Sequence, residues 1–76
     1  MIPLYKSCAL VVDLPAQDEL LDRDLRVGDR GAVIEIYENG AAYAVEFFEE
    51  DGSTIGVAWV SAEQVRPVTE SQPAAT

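Results

Sequence analysis

The chain has 76 residues, carries fourteen acidic and five basic side chains for a net charge of −9, and contains no histidine. That length allows one domain with one small core and a net stability on the order of 3–5 kcal/mol, while an apolar fraction of 49% excludes a disordered polar chain. Charge of this sign opposes phosphate backbones and anionic membranes, which are bound through Lys and Arg, and complements a basic protein partner.

Met1-Ile-Pro-Leu-Tyr-Lys lacks the basic, apolar and small-residue regions of a signal peptide. No apolar run nears the ~20 residues that span a bilayer, so a soluble, cytoplasmic protein is expected. Ser7 to Asp13 is an apolar run bounded by polar residues and reads as the first strand, broken by Leu14-Pro15. The only cysteine, Cys8, lies among Ala9, Leu10, Val11 and Val12 and reads as a small buried hydrophobe rather than a reactive thiol. No disulfide framework exists, which fits a reducing compartment. Residues 16–27 set Leu20, Leu21, Leu25 and Val27 among many charges. They read as a long irregular loop pinned by its leucines, with one short helical turn as the alternative.

Gly28-Asp-Arg-Gly31 is the turn into a second strand, Ala32 to Glu38, its glycines supplying positive φ or a close approach. Asn39-Gly40 is a hairpin signal, because a type I′ turn needs left-handed φ at both central residues. In the third strand, Ala41 to Glu49, Tyr43, Val45 and Phe47 form the expected core face and Ala44, Glu46 and Phe48 the other. Glu50-Asp-Gly-Ser53 turns into the fourth strand, Thr54 to Val60. Its inward set is either Ile55, Val57 and Trp59 or Gly56, Ala58 and Val60, and a bulge at a bend would break both alternations. Ser61 caps a single 3₁₀ or helical turn, and Val65 to Val68 forms a fifth, edge strand that tolerates Pro67. Residues 69–76 read as a disordered polar tail outside a domain of residues 1–68. The expected fold is all-β: a small, strongly bent, five-stranded SH3-like barrel with one long first loop and a short 3₁₀ turn before the last strand.

Catalysis is poorly supported, because the usual nucleophile–base pairs need histidine or an exposed thiol. Glu49-Glu-Asp51 and the cluster Asp18, Glu19, Asp22 and Asp24 read as solvated loops, with neither spacing matching a metal loop. No cofactor or metal is therefore expected. Tyr37, Tyr43, Phe47, Phe48 and Trp59 are too many aromatics for so small a core, so Phe48 beside Glu46, together with Trp59, becomes a candidate contact surface. Burial of Trp59 under the long loop and of Phe48 under the termini is the competing reading. Arg23, Arg26, Arg30 and Arg66 lie within an acidic surround and are expected to pair within the chain.

The blocks Gly28-Asp-x-Gly31-x-Val33, Tyr43-x-Val45-Glu46-Phe47, Asp51-Gly52-x-Thr54 and Gln64-Val65-Arg66-Pro67 resemble a family of small bacterial proteins, domain of unknown function 4926. The resemblance runs from about Ser7 to Val68 and implies no catalytic residues. It implies an antitoxin or immunity role, from genes beside small toxin-like proteins. Gly28-x-x-Gly31-x-Val33 is also similar to KOW motifs of ribosomal and transcription proteins, without their lysines and arginines. A similar pattern occurs in the C-terminal barrel of the nitrile hydratase β subunit, an accessory role supplying no metal ligand. Fold likeness does not fix function.

The expectation is a monomeric or homodimeric, non-catalytic module binding a basic protein through Phe48, Glu46, Trp59 and the loop acids Asp18, Glu19, Asp22 and Asp24. Membrane binding is excluded and nucleic acid disfavoured. A KOW-like nucleic-acid domain and an accessory enzyme subunit are the alternatives.

Overall fold

The computed structural model of the chain describes residues 1–16 and 23–68. The predicted tail, residues 69–76, and Leu20 and Leu21 of the long loop lie outside the described residues. Five strands form one antiparallel sheet: β1 (Ser7–Leu10), β2 (Arg30–Tyr37), β3 (Ala42–Phe48), β4 (Thr54–Ser61) and β5 (Val65–Pro67), in the order β4-β3-β2-β1-β5. The expected all-β architecture is therefore present, and the described residues between β1 and β2 form no helix. Short 3₁₀ turns, Glu38–Gly40 and Ala62–Gln64, precede β3 and β5.

The third strand follows its sequence alternation. Tyr43, Val45 and Phe47 are buried in a core with Cys8, Leu10, Leu25, Val33, Ile55, Ala58 and Val60. At the β2–β3 hairpin Asn39 (φ 60°) and Gly40 (φ 99°) are both left-handed, as expected, and the left-handed stretch already begins at Glu38 (φ 52°). Ala41 N–H closes the turn on Glu38 O at 3.3 Å.

In β4 neither simple alternation holds. Ile55 is buried, then the register against β3 shifts between Phe47 and Phe48, and Ala58 and Val60 face the core beyond Gly56 (φ 145°). The bulge turns the strand and moves the inward set by one residue, so Val57 and Trp59 face out. A second irregularity, between Val33 and Glu35, bends β2 in the same way.

β1 is shorter than its apolar run. Leu10 ends it by exchanging bonds with the turn ahead of β2, donating to Asp29 O and accepting from Gly28 N–H, each at 2.9 Å. Val11 and Val12 lie past this point and are exposed, while the side chain of Asp13 turns back to accept Val27 N–H at 2.9 Å. The loop is pinned by Leu25, which is 1% exposed and bridged to Leu14 in both directions; Val27 is exposed instead. Beyond the expected strands, the amino-terminal segment belongs to the core. Ile2 is 5% exposed, and its N–H donates to the buried Tyr43 Oη at 3.0 Å.

Cys8 is wholly buried, and desolvation pushes its thiol up to about 11, in keeping with an inert side chain.

The two glycines of the β2 turn serve different needs. Gly28 has φ of 95° with open space around it, whereas a Cβ on Gly31 would lie 2.5 Å from Glu46 O and 2.6 Å from Val45 Cγ1. Gly28→Ala should cost about 1–2 kcal/mol of left-handed backbone strain. Gly31→Ala should cost more, about 2–3 kcal/mol, because backbone must move to admit the methyl group. Urea unfolding of the two variants beside the parent checks this, and equal midpoints for the two would contradict it.

Candidate functional site

The outer face of β2–β3–β4 carries Tyr37 and Trp59, two aromatic side chains that the core does not use. Cross-strand register sets Glu35, Ala44 and Trp59 in one row and Ala32, Glu46 and Val57 in the next. Tyr37 and Ala42 pair beyond the first row. Trp59 is 46% and Tyr37 39% exposed, and Trp59 Nε1 donates to Tyr37 Oη at 3.4 Å. Ala44 faces outward by alternation yet is only 3% exposed, so the larger side chains around it roof the middle of the face. Glu46 is half-buried and accepts one bond from Thr54 Oγ1 at 3.3 Å. The face thus pairs two polar-tipped aromatics with Glu35 and Glu46 and contains no basic side chain in these rows. Such groups recognise a cation bearing an apolar stem.

Phe48 lies at the far end of this face, beyond Glu46. It pairs with Arg30 and Thr54, four residues along β3 from Ala44, a separation of about 13 Å. It is half-buried rather than exposed and lines an open groove of about 1080 Å³ with Arg23, Arg30 and the turn from Glu49 to Ser53. Phe48 and Glu46 share the outer face, two residues apart on β3, and Phe48 also lines the polar groove. Sequence alternation placed Phe48 outward correctly but could not show the groove walls that half cover it.

Asp24 is exposed, and one of its carboxylate oxygens is used within the chain. Its Oδ1 accepts Ala16 N–H at 2.8 Å and closes the base of the long loop. Asp18, Glu19 and Asp22 lie outside the described residues. No group of three or more potential metal ligands clusters among the described residues.

The groove wall is held by a clamp that composition alone does not reveal. Arg23 donates through Nη1 and Nη2 to Asp29 at 3.0 and 3.2 Å, and through Nε and Nη2 to Glu49 at 3.2 and 3.3 Å. Its remaining donor reaches Asp24 O at 2.8 Å, so all five guanidinium N–H groups are used. The clamp ties the long loop to the β2 turn and to the end of β3, and it fulfils the expected intrachain pairing of Arg23. Arg23 keeps its proton more tightly than usual because of these bonds. Its guanidinium holds the Asp29 carboxyl below the ordinary 3.8, with the Arg26 N–H adding to the effect. Asp51 is lowered too, by the N–H and hydroxyl of Ser53, which fixes the β3–β4 turn.

Comparison with known families gives one result. The family described as a domain of unknown function (DUF4926) matches residues 4–67, and the chain belongs to it. No curated protein and no solved structure matches the chain. Among the described residues no helix is long and apolar enough to cross a membrane.

A carboxyl whose folded pKa is depressed stabilises the fold above its unfolded value and loses that contribution as pH falls through the folded one. Asp29 should therefore support stability above pH 3.8 and lose that support below it. Denaturation midpoints measured across that range should fall on acidification, with a shallower fall in Asp29→Asn and a lower midpoint for that variant at neutral pH. An unchanged pH profile in Asp29→Asn would show that the clamp contributes nothing.

Proposed function

We propose that the chain is a non-catalytic protein-binding module whose partner is basic. The observation that carries this reading is the exposed Trp59–Tyr37 pair on an outer sheet face whose neighbouring charges are Glu35 and Glu46. Half-exposed aromatics with polar tips are the side chains that gain most when a partner covers them, each contributing several-fold in affinity or more. The net charge of −9 raises the encounter rate with a basic partner and opposes a phosphate backbone. Five short strands, a bent sheet, a long loop after β1 and a 3₁₀ turn before β5 support the SH3-like barrel reading of the fold.

Within this class we favour the antitoxin or immunity role that the family resemblance implies. A stoichiometric neutraliser needs a complementary surface and no bond-making groups. The KOW-like alternative belongs to the same test.

The tagged full chain is recovered from its own cells beside a Trp59→Ser/Tyr37→Ser variant whose fold is checked by circular dichroism. A basic polypeptide should co-purify in near-stoichiometric amount with the parent and fall about tenfold or more with the variant. Recovery of no polypeptide, or retention of RNA or DNA on a filter at low salt, would contradict the proposal.

A further inference from the structure

Among the described residues β4 is one edge of the sheet, hydrogen-bonded to β3 alone. The alternation of bonds across the sheet fixes which of its backbone groups face outward. Val33 donates to Lys6 O at 3.1 Å and accepts from Tyr5 N–H at 2.6 Å, so its backbone polar groups point to the β1 side. Its partner Val45 then points toward β4 and exchanges bonds with Ala58. Ala62 N–H donating to Ala41 O at 2.9 Å continues the same alternation at the far end. Gly56, Ala58 and Val60 therefore face β3, and the N–H and C=O of Val57 point away from it. On that outward side Ser61 N–H is already taken, by Gln64 Oε1 of the chain itself, at 2.9 Å.

The two sheet edges are unlike. β5 is three residues long and carries Arg66 and Pro67, both of which discourage further pairing. β4 runs eight residues, Thr-Ile-Gly-Val-Ala-Trp-Val-Ser, without charge or proline. Its surroundings are acidic: Glu50 and Asp51 before it, Glu63 after it, and Glu46 beside Val57. A strand laid against Val57 would sit two strand spacings from Glu46, about 10 Å. An arginine or lysine on that strand spans the gap across half-buried Val57, and its neighbour two residues along meets the face of Trp59.

Resting on the reading of the chain as a binder of basic proteins, we infer that the partner is captured by strand addition: an extended basic segment pairs with the β4 edge at Val57. Backbone bonds supply affinity, and Glu46 with Trp59 selects basic side chains on the exposed face. A second copy of the chain is a poor occupant. An antiparallel β4–β4 pairing sets Glu63 of each copy toward the Glu50–Asp51 turn of the other, and like charges repel.

The test uses the full chain and a short peptide alternating arginine and valine, followed by Trp59 fluorescence. A second peptide of the same sequence is N-methylated on its bonding edge, which keeps charge and side chains but removes strand pairing. Saturable binding of the first peptide, weakened about tenfold by N-methylation and similarly by Val57→Pro, is expected from the loss of edge hydrogen bonds. Equal binding of both peptides would overturn strand addition while leaving the basic-partner reading standing. Binding of neither would overturn both. Concentration-dependent dimerisation of the chain alone, abolished by Val57→Pro, would assign the edge to a second copy and overturn the proposal.

Discussion

The structure depends on the absence of a side chain at Gly31. There β2 comes so close to β3 that a single methyl group would meet the Glu46 carbonyl and the Val45 side chain inside contact distance. Close packing of the two strands puts Val33, Val45 and Phe47 beyond the reach of solvent. The irregularities after Val33 and at Gly56 bend the sheet around them. A chain this small has few other ways to shield a core, so the amino-terminal Ile2 is drawn in as well. No charged or polar residue is buried among the described ones, so every acidic side chain among them reaches the surface.

That division of labour shapes what the surface can offer. The inner face of the sheet is consumed by the core, and the polar groove near Phe48 is braced by Arg23, whose donors are all engaged with the chain's own oxygens. The outer face with Tyr37 and Trp59, and the uncharged β4 next to it, are used by neither. On the proposed reading both would serve another polypeptide. Both lie in an acidic frame, which the proposed reading uses to select a basic partner.

Local patterning carried much of this. The inward set Tyr43, Val45 and Phe47, the left-handed turn at Asn39-Gly40 and the loop anchor Leu25 are legible, because each signal lies within a few residues of its cause. β4 was ambiguous for a physical reason: a bulge displaces the inward set midway, and no period of two survives it. Val11 and Val12 look like strand in sequence, yet β1 ends where the Gly28–Asp29 turn takes its last bonds, a contact between distant residues. Ile2 offered no periodicity to read, and the Arg23 clamp joins groups up to 26 positions apart. The candidate surface was half legible. Trp59, Glu46 and Phe48 share the outer face, while the groove that Phe48 lines and the bond from Ala16 to Asp24 join residues that alternation does not relate.

The account stands most directly on the backbone of Val57 facing outward from β4. Amide hydrogen exchange of the free chain, resolved by residue, measures this without a partner. Val57 should exchange at least about tenfold faster than Ala58 and Val60, whose N–H groups are bonded to β3. Protection of Val57 equal to that of Ala58 would mean the edge is already paired, and the proposed mode of recognition would have no place to act.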